Sequence, residues 1–174
     1  MTPNEVINHL IDLYSDDIYR FALHTVGNHA DAKDIVQEVF LRSYQAWGKF
    51  RHDSSPKTWL FHIARNYMKD YFRRKAVRDE YIRKQDQSSL FTLDGIEERL
   101  DLQMAISLLP FDDRQVIILR FIEDLSVADT AQVLDWSEAK VRTKQHRSLK
   151  RLRGILDATE SGKDVDNYAP EKGR

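Results

Sequence analysis

The sequence predicts an all-α protein of two small helical domains joined by a flexible linker. Three observations carry this. Apolar residues recur at three- and four-residue spacing through most of the chain. No run shows the sustained alternation of a strand. Between residues 76 and 99 the apolar pattern weakens, and Gln85-Asp86-Gln87-Ser88-Ser89 is polar and small, as inter-domain linkers are. The expected division is a first domain over 1–75, a linker over 76–99, a second domain over 100–156 and a disordered tail over 157–174.

The first helix is expected over residues 4–26, with Leu10, Leu13, Tyr14, Ile18, Phe21 and Ala22 on one face. Gly27-Asn28 is a turn. A second helix over 29–47 carries Ala32, Ile35, Val36, Val39, Phe40 and Tyr44 as its apolar stripe. Residues 49–55 form a polar loop. Ser55 is an N-cap and Pro56 takes the first helical position, where its missing N–H costs nothing. The third helix turns Trp59, Leu60, Ile63, Ala64, Tyr67 and Tyr71 inward. In the second domain Leu102, Ile106 and Leu109 form a stripe, Pro110 breaks it, and residues 116–122 start the next helix.

Composition bounds the function. The 174 residues, 41% hydrophobic and 32% charged, suffice for real cores in a highly charged helical protein. There is no cysteine, which excludes disulfides and thiolate metal sites. The longest strongly apolar run, Val116-Ile117-Ile118-Leu119, is far short of the roughly 20 residues of a membrane helix. Residues 1–5 have neither a basic n-region nor an apolar h-region, so the chain reads as cytosolic. A net charge of −1 argues against nucleic acid, but its distribution argues for it. Lys140, Arg142, Lys144, Arg147, Lys150, Arg151 and Arg153 form one block without an acid; Arg65, Lys69, Arg73, Arg74, Lys75 and Arg78 form another. The plainer reading of either block is a solvated helix face.

The clearest motif is a helix-turn-helix. Leu125 to Leu134 form its first helix, opened by a Ser126/Asp129 capping box, and Asp135-Trp136-Ser137 is the turn. On the second helix Val141, Ser148, Leu149 and Leu152 fall on one side, and Arg142, Thr143, His146, Arg147 and Lys150 on the other. The first side can be buried while the second enters a major groove, arginine for guanine edges and lysine for phosphates. An ordinary hairpin with a basic surface is the alternative.

Two stretches of the first domain are more specific: residues 31–42 (DAKDIVQEVFLR) and residues 57–74 (KTWLFHIARNYMKDYFRR). Together they resemble region 2 of the extracytoplasmic-function sigma factors of the sigma-70 family. Leu108-Leu109-Pro110, Arg114, Leu119-Arg120-Phe121 and the helix-turn-helix resemble region 4. The resemblance spans residues 8–155 in order; residues 116–122 and 137–152 are similar to the sigma-X-like members from Bacillus and its relatives.

The resemblance implies a subunit that directs RNA polymerase to promoters. Asp34, Gln37, Glu38 and Leu41, one helix face by spacing, with Arg42 beside them, would meet the β′ clamp helices of core polymerase; the β flap is the second implied contact. The loop at residues 50–57 and the start of the third helix would capture an unpaired −10 base. Lys49, Arg51, His52 and Lys57 would supply charge there, and Phe50 or Phe61 stacking. Trp59, in register with Ile63 and Tyr67, reads as core. Arg65, Asn66, Lys69, Asp70, Arg73 and Arg74 project outward and match the duplex-reading segment. Lys140, Arg142, Thr143, Lys144, His146, Arg147 and Lys150 would bind the −35 element. Ala139-Lys140 stands where members often have Gly-Thr, and Asp129-Thr130-Ala131 where they often have Glu-Ile-Ala, so −35 specificity does not transfer. A membrane-anchored anti-sigma factor and a cell-envelope stress response are also implied.

No catalytic residue, cofactor or metal is expected. The six histidines are dispersed, no phosphate-binding glycine loop occurs, and the carboxylates Asp31, Asp34 and Glu38 lack an accompanying histidine. The alternative function is a stand-alone helix-turn-helix regulator, although no dimerisation helix is visible. A protein-only helical adaptor is a third.

Overall fold

The computed structural model describes residues 2–83 and 100–160, and every element among them is helical. Helix α1 (Pro3–Val26) starts on a reciprocal cap: Thr2 Oγ1 accepts from Glu5 N, and Glu5 Oε2 accepts from Thr2 N. It ends at Gly27, whose φ of +73° suits glycine and whose N–H donates to Leu23 O at 2.8 Å. Asn28 then accepts from Asp31 N to cap α2 (His29–Ala46), which tightens into a 3₁₀ turn, Trp47–Lys49. Ser55 caps α3 (Pro56–Arg83) through Thr58 N at 3.0 Å, with Pro56 at the first position as expected. Helix α3 continues well past residue 75. The last helix runs to Glu160, four residues into the expected tail, and the rest of the expected linker, 84–99, and of the expected tail, 161–174, lies outside the described residues.

The second half comprises α4 (Leu100–Leu108), α5 (Phe111–Ile117), a π turn (Ile118–Ile122), α6 (Val127–Leu134) and α7 (Glu138–Glu160). The helix expected from residue 116 starts at Phe111 instead. Pro110 occupies its N-cap position, and Asp112 and Asp113 lie in the first turn, where acids complement the helix dipole. In the π turn Glu123 N donates to Ile118 O, one residue further back than in an α-helix. That extra residue turns Glu123 inward and sets Arg120 toward α7, where it donates to Gln145 Oε1 at 2.8 Å; it also donates to Leu125 O, ahead of α6. Ser126 caps α6; Asp135, left-handed at φ +57°, ends it; Ser137 caps α7 by accepting from Lys140 N.

Both halves share one core. Ile18, Phe21, Ile35, Leu60, Phe61 and Met68 from the first continue into Ile106, Leu109, Ile118, Leu119 and Leu134 from the second. α3 packs on α6, and α1 on α4 and the π turn. Polar contacts stitch the same seam. Gln115 Nε2 donates to Thr25 Oγ1 at 3.0 Å, Arg114 donates to Thr25 O at 2.6 Å, and Gln103 meets His24. Burial lowers the pKa of Arg114. Arg20 forks onto Glu123 at 2.9 and 2.7 Å, and this bidentate pairing raises the guanidinium pKa.

The helical periodicities stand, with three exceptions. Leu13, Tyr44 and Leu102 belong to the expected stripes yet are exposed. Each stripe is wider than the strip its neighbouring helices cover.

Candidate nucleic-acid interface

The helix-turn-helix forms as read. Val141, Ser148 and Leu152 are buried, with Leu149 half-buried beside them. On the opposite side Lys140, Arg142, Thr143, His146, Arg147 and Lys150 are exposed. Ala139, Lys140, Thr143, Lys144 and Arg147 line a shallow groove of about 340 Å³ on this surface. Lys140 lies 4.2 Å from the Trp136 ring centre, and Arg142 pairs with Glu138 one turn back, so the turn residues hold the first basic groups in place. Lys144 lines the groove, but its ammonium is engaged elsewhere: Nζ is 3.0 Å from the buried carboxylate of Asp113.

In the first half a loop and α3 form a second surface. Phe50 stacks on Trp59 at 4.6 Å, Trp47 meets both edge-on or tilted, and His52 lies 4.5 Å from Phe50 with φ at +58°. Trp59, read from its register as core, is half-buried in this aromatic cluster. Phe61, read as a possible stacking group, has no exposed surface: one residue along the helix turns it inward against Phe21. Trp47 was missed, because nothing in its local spacing ties it to a loop it meets only after the 3₁₀ turn. Lys49, Phe50, Arg51, Trp59 and His62 line a cleft of about 420 Å³ whose far wall is Gln132 and Asp135 of the second half. His62 Nε2 lies 3.1 Å from Asp135, and Thr58 donates to Asp129 at 3.2 Å across the same seam.

The duplex-reading candidates divide. Lys69, Arg73 and Arg74 are exposed on α3, and Asp70 pairs with Arg73 at 2.6 Å. Arg65 does not project outward; it is 5% exposed, because position 65 continues the buried row Phe61–Met68. Its Nη1 donates to Asn66 Oδ1 at 3.1 Å, and Asn66 is itself half-buried against His62. Lys57 reaches Asp17 at 2.9 Å.

On α2, Asp34, Gln37, Leu41 and Arg42 are exposed and Glu38 half-buried, all on one face. Glu38 accepts from Arg42 Nε at 2.6 Å, and the Arg42 guanidinium sits over the Tyr67 ring at 4.7 Å. Leu41 is 52% exposed and Tyr44 lies uncovered one turn away. Such a mixed stripe suits a separable protein interface. Asp31 turns away from Asp34 and Glu38 to accept from Tyr71 OH at 2.7 Å; burial, then this bond, raises the phenol pKa. Among the described residues no cluster of three metal-binding side chains occurs, and no helix is long and apolar enough to cross a membrane.

Comparison with known proteins locates both surfaces in matched regions. Sigma-70 region 2 matches residues 10–78, and Sigma-70, region 4 matches residues 99–152. The chain is 36% identical over 164 residues to the ECF RNA polymerase sigma factor SigX of Bacillus subtilis (strain 168), covering 88% of this chain and 84% of that protein. It is 31% identical over 163 residues to SigW of the same strain, covering 84% and 87%. CnrH, solved in complex with the cytosolic domain of CnrY, aligns at TM-score 0.68 and 26% identity over 89% of this chain and 90% of that one. The sigma factor RpoE, in complex with the anti-sigma factor NepR from Bartonella quintana, aligns at TM-score 0.73 over 86% and 96%. At 23% identity that match shows the fold alone.

Proposed function

Since this chain belongs to the extracytoplasmic-function sigma factors of the sigma-70 family, we propose how its surfaces share the work of directing core RNA polymerase to promoters. The exposed stripe of α2 (Asp34, Gln37, Glu38, Leu41, Arg42) binds the β′ clamp helices, and the second half, called region 4 from here, contacts the β flap. The aromatic loop of the first half, region 2, takes an unpaired −10 base against Phe50 and Trp59, with Arg51, His52 and Lys57 beside the strand. Asn66, Lys69, Asp70, Arg73 and Arg74 follow the adjoining duplex. The exposed side of α7 reads the −35 element. The observation that carries this division is the exposed side of α7, acid-free from residue 140 to residue 153, on the same chain as an uncovered mixed stripe on α2. Bond-making stays with the polymerase; this subunit positions it.

The two promoter elements lie about 25 base pairs apart by their names, or about 85 Å at 3.4 Å per pair. A globule of 140-odd residues is only about 40 Å across. Regions 2 and 4, packed on one core here, therefore part at the α3–α6 seam when both elements are read. An anti-sigma factor, membrane-anchored and covering the α2 stripe, is the regulator this reading expects; CnrH, 26% identical to this chain, is solved in complex with the cytosolic domain of CnrY. Cell-envelope genes are the expected targets.

The test is transcription from genomic promoters with purified chain and core polymerase. Open complexes that form only when both are present support the reading. Tight, dimeric binding to duplex DNA without polymerase and no promoter opening would replace it with a stand-alone regulator.

A further inference from the structure

Asp113 is an acid behind a basic helix. It sits on α5 at 2% exposure, and among the described residues every side-chain donor that meets its carboxylate comes from α7. Ser148 Oγ, itself fully buried, donates to Oδ1 at 2.6 Å; Lys144 Nζ and Arg151 Nη1 reach Oδ2 at 3.0 and 3.2 Å. Residues 144, 148 and 151 are four and three apart, so they form one stripe over two turns, between the buried side of α7 and its exposed side. A single fixed carboxylate bonded to all three sets both the rotation of α7 about its axis and its shift along it. A buried carboxylate demands such partners, because losing one leaves charge uncompensated in a poorly solvated place.

We propose that Asp113 is a positioning residue that determines −35 specificity. It locks the angle at which Arg142, Thr143, His146 and Arg147 meet base edges, and it withdraws Lys144 and Arg151 from the phosphate-binding set. Lys140 and Lys150 remain to meet phosphates. This rests on the reading that α7 faces the −35 duplex.

The experiment uses the full chain with core polymerase. A promoter it opens is compared with the same promoter carrying a scrambled −35 element, across a range of salt concentrations. Asp113→Asn keeps the volume and the Ser148 bond but frees two cations. Its salt slope should steepen by up to about two, and its preference for the intact −35 element should fall about tenfold, since misplaced bidentate contacts lose discrimination of that order. Lys144→Ala, which needs no buried change, should leave the slope as in the wild type, whereas Lys140→Ala should flatten it by about one. Equal flattening by Lys144→Ala and Lys140→Ala overturns the role of Asp113 while leaving α7 as the −35 reader. An Asp113→Asn chain with wild-type slope and preference does the same. If Lys140→Ala and Arg147→Ala also change nothing, the −35 reading itself fails, and this proposal with it.

Discussion

In region 2, Lys57 is held by Asp17, Arg73 by Asp70, and Arg65 is buried in the row that continues from Phe61 to Met68. On α7 of region 4, Lys140, Thr143, His146, Arg147 and Lys150 stand exposed with no carboxylate bonded to them among the described residues. Both basic blocks thus spend part of their charge internally, Arg73 and the buried Arg65 in one and Arg142, Lys144 and Arg151 in the other, and they differ in where the remainder stands: along α3 at Lys69 and Arg74, and on one exposed side of α7. In region 2 the block is spread through a three-helix packing whose own acids reach it. In region 4 Asp113 takes up Lys144 and Arg151, Glu123 takes up Arg20 at the seam, and Glu138 takes up Arg142 in the first turn of α7. Charge in a sequence therefore bounds the charge a surface can present, and carboxylate placement decides how much of it is spent internally.

The largest effect should come from the seam that joins the regions. Glu123 has no exposed side-chain surface while Arg20 is 45% exposed. Arg20→Ala leaves that carboxylate buried and unpaired, which should cost about 3 kcal/mol, the low end for a buried pair because Arg20 is partly solvated. Arg73→Ala, which breaks an exposed pair, should cost about 0.5 kcal/mol or less. Urea denaturation of both variants measures the contrast; equal losses would erase the distinction between seam and surface. Next comes base readout. Arg147→Ala should weaken discrimination of the −35 element by roughly 1–3 kcal/mol without shifting the denaturation midpoint. Competition binding of the holoenzyme measures it, and a loss confined to −10 mutants of the promoter would reverse the assignment of the two regions.

Local chemistry made much of this legible in the sequence. Ser55-Pro56, Gly27-Asn28, Ser126 and Ser137 mark element boundaries because their caps bond within three or four residues. The buried and exposed sides of α7 follow from period alone. What escaped depends on partners far along the chain. Asp113 finds Ser148 35 residues away and Arg20 finds Glu123 103 residues away, so neither pair has a local signature. The π turn hides in an apolar run, Val116-Ile117-Ile118-Leu119, that reads equally well as the start of an α-helix. Arg65 reads as outward by its charge, while its spacing to Phe61 and Met68 places it inward.

A smaller effect is expected on the stripe of α2. Asp34 is exposed, and among the described residues its side chain makes no hydrogen bond or ion pair. Asp34→Ala should therefore leave the denaturation midpoint unchanged and weaken core polymerase binding about fivefold, roughly 1 kcal/mol. Arg147→Ala should leave that binding intact. Equal loss of polymerase binding and −35 readout in each variant would show that the two regions do not divide the work.

The smallest effect concerns Asp17, which holds a candidate −10 residue in place. Burial pushes its carboxyl up, but hydrogen bonds and charge from Lys57 and Arg20 outweigh burial and hold it below its ordinary value. A pKa lower in the folded chain means that the stabilisation is complete above the unfolded value of about 4 and is lost as pH falls through the folded one. Asp17→Asn removes this term. The stability gap between wild type and variant should be constant from pH 7 to 5 and shrink below pH 4, modestly, because solvent reaches about a quarter of the side chain. At neutral pH the same substitution frees Lys57 without touching α7, so promoter complexes should gain salt dependence through region 2 alone. A gap in stability that ignores pH would mean that Lys57 is held by packing against Phe61 rather than by the carboxylate, and the contrast between captured and available charge would then rest on Asp70 and Asp113.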